Sequence, residues 1–185
     1  MTCEHCGAQL ALAPVGRMPR FCSTRCRVAS HRSRSLPVEM TSRPRWVRHA
    51  AKRPLTVTGR QASITSPRTW APYADVVASS VGDGVGFVLG DGIGCVDLDH
   101  CIEGAVLAPW AQAILARCPR TYVEVSPSGT GLHIFGLLSA RPGRGQRGGV
   151  PIEVYSASRY MTVTGVRFRG APHTLADLSE VVSTL

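Results

Sequence analysis

Two aspartates separated by one residue, Asp97 and Asp99, close an apolar stretch that reads as a strand from Ile93 to Asp99. Side chains alternate faces along a strand, so both carboxylates point the same way, about 6 to 7 Å apart, while Val96 and Leu98 turn into a core. Such a pair repels itself at neutral pH unless a cation sits between. Hard divalent ions such as Mg²⁺ or Mn²⁺ take oxygen ligands of this kind. Taken alone, Asp-x-Asp is also an ordinary solvated strand end.

Two later segments add to the pair. In Ser126-Pro-Ser-Gly-Thr-Gly-Leu-His-Ile-Phe135, His133 faces away from Leu132 and Ile134. The small-residue turn before it offers backbone N–H groups and the hydroxyls of Ser126 and Ser128, a nest able to hold phosphate beside an imidazole. In Ile152-Glu-Val-Tyr155, Glu153 and Tyr155 share the face opposite Ile152 and Val154, which brings a third carboxylate. Two metal ions that stabilise the attacking and leaving oxygens of a phosphoryl transfer need several carboxylates converging from different strands. Asp97, Asp99 and Glu153 meet that need.

A separate constellation lies at the N-terminus. Cys3-x2-Cys6-Gly and Phe21-Cys22-Ser-Thr-Arg-Cys26-Arg, with fifteen residues between Cys6 and Cys22, have the paired spacing of a four-cysteine zinc site. It resembles small treble-clef-like fingers whose last cysteine sits in the first turn of a helix. Here that helix starts near Ser23 or Thr24 and carries Arg25, Arg27, Arg32 and Arg34, a basic surface for phosphate. So short a segment buries little core, so the single structural Zn²⁺ would supply its folding energy. His5 and His31 are read as surface residues.

These groups must be positioned by the elements around them. Asp91-Gly92 between apolar stretches predicts a two-residue hairpin joining the short apolar strand that follows Gly84 to the aspartate strand. Trp46-Val47 and Leu55–Val57 read as short strands, and 69–78 as a short helix with Pro72 near its first turn. Leu107, Trp110, Ala111, Ile114 and Cys118 recur at helical spacing. Strands follow at 122–125, 132–135, 152–155 and 160–164, and Leu175 to Leu185 mark a terminal helix. The Gly-rich loop 137–149 holds Arg141, Arg144 and Arg147. Cys95, Cys101 and Cys118 are assigned to packing.

In 185 residues the chain has 44% hydrophobic and 18% charged residues, suited to one globular core plus an appendage. It has no apolar run long enough for a transmembrane helix and no secretory leader, so a cytoplasmic protein without membrane association is expected. The formal net charge of +9 is uneven. Residues 1–60 hold eleven Arg and Lys52 against Glu4 and Glu39, whereas residues 61–185 hold nine Arg against ten acids. A polyanion partner for the first third follows. Residues 33–44 are polar, basic and contain proline, and read as a linker. The organisation expected is a zinc finger over 1–32, a basic linker over 33–44 and a catalytic domain over 45–185.

In the order Val-Asp-Leu-Asp, Glu-Val-Ser-Pro-Ser-Gly-Thr-Gly-Leu-His-Ile, then Glu-Val-Tyr and Arg-Tyr-Met-Thr-Val-Thr-Gly, the chain resembles the primase-polymerase domain of the archaeo-eukaryotic primase superfamily. The resemblance covers roughly residues 45–170, including Arg45-Trp-Val and Pro67-Arg-Thr-Trp70. It implies an α+β fold, in which a sheet like that of the RNA-recognition motif joins a second α/β layer. It implies a DNA-dependent nucleotidyltransferase, with Asp97, Asp99 and Glu153 holding two Mg²⁺ or Mn²⁺ ions. His133 and the turn through Ser126, Ser128, Gly129 and Gly131 would hold the triphosphate of the incoming nucleotide. Lys52, Arg159 and the arginines of the 141–147 loop are candidates for triphosphate or nucleic-acid phosphates. Single-stranded DNA template and nucleoside triphosphates are the partners implied. The chain has no Gly-x4-Gly-Lys-Ser/Thr phosphate loop, so a separate replicative helicase is expected. Two rivals share parts of this pattern: an inactive zinc-finger DNA-binding replication or regulatory factor, and a metal-dependent nuclease.

Overall fold

The computed structural model describes residues 3, 8–10, 19–24, 26–27, 36–140 and 149–185. The chain divides into two compact units, Met1–Ser35 and Leu36–Leu185. In the first, Cys3 is buried and its N–H donates to Ala8 O at 2.8 Å. A helical turn begins at Ser23, whose Oγ accepts from Cys26 N at 3.1 Å and whose carbonyl accepts from Arg27 N at 3.0 Å. Serine is suited to that cap because its hydroxyl satisfies an amide the first turn leaves unpaired. Cys6, Arg25, Arg32 and Arg34, and the loop arginines 141, 144 and 147, lie outside the described residues.

The second unit is α+β, with two four-stranded sheets whose strands all pair antiparallel. The first has the order β10 (Tyr160–Val163), β3 (Gly84–Val88), β1 (Trp46–Ala50), β2 (Arg53–Leu55). The second has the order β7 (Val123–Val125), β8 (Leu132–Leu137), β4 (Ile93–Leu98), β9 (Ile152–Tyr155). A small hairpin of β5 (Ile102–Glu103) and β6 (Val106–Leu107) precedes the helix α3 (Pro109–Arg117). The other helices are α1 (Val38–Thr41), α2 (Tyr73–Ala78) and α4 (Ser179–Ser183).

Alternation along β4 explains the layering. Ile93 and Cys95 join Trp46, Phe87, Phe135 and Met161 in a core between the two sheets. Val96 and Leu98 join Leu132, Ile134, Ile152 and Val154 on the opposite face, covered by Ala111, Ile114, Val181 and Val182 of α3 and α4. Every residue of β4 is therefore buried. Proline in β2 fits its place at the sheet edge, where no ladder donor is needed.

Three expectations are corrected. Asp91 and Gly92 do make a tight reversal, with φ of 55° and 78° and mutual bonds between Gly90 and Ile93 at 3.1 Å. The flanking strands nevertheless diverge into different sheets, and no hairpin forms between β3 and β4. A turn signal fixes only local geometry. Gly90, at φ 133°, takes a backbone conformation open to glycine and swings the chain from one sheet to the other. The segment expected as linker is also partly folded: α1 buries Met40 completely, and Trp46 Nε1 donates to Met40 O at 3.0 Å. A four-residue helix is too short to show a period. Finally, the terminal helix is confined to Ser179–Ser183, because Leu137 N donates to Ala176 O and Leu178 N to Leu137 O, holding Asp177 as a bridge beside β8.

Candidate active site

The register of the second sheet sets one row of polar side chains across all four strands. Glu124 of β7 pairs with His133 of β8, His133 with Asp97 of β4, and Asp97 with Glu153 of β9. Their neighbours Leu132, Ile134, Val96, Ile152 and Val154 point to the helical side, so the row is turned toward the first sheet. Asp99 lies just past β4, held by its N–H to Pro151 O at 3.0 Å.

Ligand oxygens of Asp97, Asp99 and Glu153 all fall within 4.8 Å of one another. Burial above all drives the Asp97 carboxyl up to about 6, with Asp99 and Glu153 acting in the same direction and His133 and Arg159 against it. Asp97 Oδ1 is buried without a hydrogen-bond partner. His133 Nε2 is 3.7 Å away, too far to serve as one. An orphaned, buried carboxylate oxygen among three converging acids suits a hard divalent cation, which would satisfy it and cancel the repulsion.

These acids open on a cleft of about 680 Å³, lined also by Lys52, Ile64, His100, Ser126, Pro127, Ser128, His133, Arg159, Tyr160, Met161 and Thr162. The structure thus brings together Asp97, Asp99, Glu153, Ser126, Ser128, His133, Arg159 and Lys52 from six stretches of sequence. The two glycines have a different part. Gly129, at φ 76°, makes the turn; Gly131 is packed so closely that an added Cβ would meet Leu98 O and Ser126 Oγ at 2.8 Å. The amides of Ser126, Gly129 and Thr130 are used within the turn, bonded to Gly131 O, Ser126 O and Ser128 Oγ. The hydroxyls of Ser126 and Ser128, 3.0 Å apart, are what it shows to the cleft.

On the opposite wall, the Arg159 guanidinium lies over the Tyr155 ring at 4.5 Å. Burial and a hydrogen bond to Glu153 push the Tyr155 hydroxyl up to about 12, so it stays a donor to the carboxylate at neutral pH. Lys52 is exposed at a left-handed position, φ 62°, and its carbonyl accepts from Tyr160 OH.

Sequence reasoning missed Glu124, His100, Tyr160 and Thr162. Glu124 carried one legible signal, a lone acid alternating with Val123 and Val125, but its partner depends on strand register. In the N-terminal unit, thiols of Cys3, Cys22 and Cys26 also lie within 4.8 Å of one another, a group able to hold a metal ion. No helix among the described residues is long and apolar enough to cross a membrane.

No protein-family model matches the chain. A DNA primase-polymerase of Nitratiruptor phage NrS-1 is 37% identical to it over 123 residues, which is 60% of this chain and 17% of that protein. The chain therefore spans about a sixth of that relative's length. This similarity supports a primase-polymerase domain within an α+β chain, whose Asp97, Asp99 and Glu153 form a group able to hold a metal ion.

Proposed function

We propose that the chain is a DNA-dependent nucleotidyltransferase of the primase/polymerase type, making or extending primers in phage, plasmid or mobile-element replication. The observation that carries the reading is the convergence of Asp97, Asp99 and Glu153 within 4.8 Å at one end of a cleft whose other groups suit a triphosphate. Divalent ions held by these three acids would supply Lewis-acid stabilisation of the attacking and leaving oxygens in an in-line displacement. The remaining residues bind and orient. His133, the hydroxyls of Ser126 and Ser128, Arg159 and Lys52 face the cleft as donors to phosphate oxygens. Arg159 is held flat by Tyr155, which leaves less side-chain freedom to lose on binding.

The template in this reading is single-stranded DNA, approached by the basic first third of the chain. Residues 1–32 form a finger around one zinc ion on Cys3, Cys6, Cys22 and Cys26, and a separate helicase opens the duplex. Binding of a nucleoside triphosphate separates this function from that of a nuclease, which would use the same acids without a triphosphate pocket. The full chain with Mn²⁺ should bind a non-hydrolysable deoxynucleoside triphosphate, and Ser128→Ala with His133→Gln should weaken it at least tenfold. Binding that ignores both substitutions would place the nucleotide elsewhere and defeat the assignment.

A further inference from the structure

Behind His133 lies a carboxylate with no exposure to solvent. Glu124 has 0% accessible surface and four donors. Its Oε1 accepts from His133 Nδ1 at 3.3 Å and from Thr164 N at 3.1 Å; its Oε2 accepts from Tyr122 OH and Gly165 N, both at 2.9 Å. Two donors per oxygen fill the capacity of a carboxylate. Glu124 is thereby saturated, unlike Asp97 with its orphaned oxygen, and has nothing left to offer an ion. Its effect must pass through the groups it holds.

We infer that Glu124 is the positioning residue of the nucleotide site, fixing the His133 ring so that Nε2 is presented to the cleft beside Asp97. A carboxylate only accepts, so the His133 nitrogen facing it carries the proton. The ring plane is set by Phe135, edge-on at 89° and 6.0 Å between centroids. With Nδ1 committed, Nε2 is aimed at the acid cluster, 3.7 Å from Asp97 Oδ1. The same carboxylate grips the backbone just past β10, whose Met161 and Thr162 line the cleft, and so ties one wall to the imidazole of the other. That His133 meets a triphosphate rests on the proposed function; that Glu124 holds its ring does not.

The test uses the full chain and reads three quantities: the His133 Nδ1–H proton resonance, assigned by its loss in His133→Gln; affinity for a non-hydrolysable deoxynucleoside triphosphate with Mn²⁺; and thermal stability. In Glu124→Gln the resonance should move upfield and exchange faster, and triphosphate affinity should fall roughly tenfold, while Mn²⁺ affinity stays within about twofold. Tyr122→Phe removes a donor to Glu124 without touching the ring. It should lower stability and leave resonance and affinity unchanged. Wild-type resonance and affinity in a folded Glu124→Gln protein, or equal losses in Tyr122→Phe, would overturn the inference. Should Glu124→Gln not fold, Glu124→Asp takes its place, with an altered resonance expected and a wild-type one decisive against. If the wild-type chain binds no triphosphate, the functional reading fails, and the resonance still decides whether Glu124 holds His133.

Discussion

Asp97 and Glu153 stand opposite one another as a registered pair on β4 and β9, at the cleft end of the layer between two sheets. Their side chains share a face with Cys95 and Tyr155, which pack in the intersheet core. The acids are therefore held on rigid strands, with little freedom to relieve their repulsion by moving apart.

That arrangement makes stability depend on pH. Burial raises the Asp97 carboxyl to about 6, so the folded chain holds this proton more tightly than the unfolded chain does. The stability it contributes is present in full below about pH 4 and is lost as pH rises through about 6. At pH 8 with chelator, Asp97→Asn should be more stable than wild type by about 1–3 kcal/mol. Adding Mn²⁺ should raise the melting temperature of wild type and not of the variant. Thermal melts with and without Mn²⁺ check both; an Asp97→Asn protein no more stable than wild type in chelator would contradict the electrostatic account.

Arg159 is expected to act on nucleotide binding. Arg159→Ala should raise KM for nucleoside triphosphate roughly tenfold with a smaller change in kcat, and Arg159→Lys should restore part of it. Steady-state kinetics decide; an unchanged KM would make the stack on Tyr155 purely structural.

Two glycines separate packing from backbone effects. A methyl at Gly136 would collide with Leu178 Cγ and lie 2.6 Å from Ala176 O, so Gly136→Ala should cost about 2–3 kcal/mol. At Gly92, φ 78°, an added Cβ meets nothing within 4 Å. Gly92→Ala should cost only about 1 kcal/mol, from backbone strain. Denaturant melts giving the reverse order would refute the packing described around β8.

For the N-terminal unit, the intact chain should carry one zinc ion, and Cys22→Ser should lose it. Elemental analysis after gel filtration measures this. Full zinc content in Cys22→Ser would exclude that thiol as a ligand.

Much of the site was legible because it depends on alternation. Period two places Asp97, His133, Glu153 and Tyr155 on one face and their apolar neighbours on the other, whatever the strand order. What alternation cannot supply is which strands become neighbours. Asp91-Gly92 signals a reversal but not the change of sheet at Gly90, and no local pattern pairs Glu124 with His133. The part played by the glycines depends on neighbours in the same way. Gly129 and Gly131 look like a phosphate nest in sequence, yet the turn's amides at 126, 129 and 130 are spent internally and Gly131 is needed for its close approach to Leu98. Met40 was hidden in a basic stretch because one buried side chain leaves no period.

The central claim is tested most directly by nucleotide incorporation on single-stranded DNA, with and without a primer, using Mg²⁺ or Mn²⁺ and both ribo- and deoxyribonucleotides. Intact protein is compared with a folded Asp97→Ala plus Asp99→Ala variant. The account predicts synthesis by the intact chain and its loss by at least about a hundredfold in the variant, with DNA binding retained. Salt-sensitive DNA binding by both proteins with no incorporation by either, under any of these conditions, would contradict it and leave a binding module in its place.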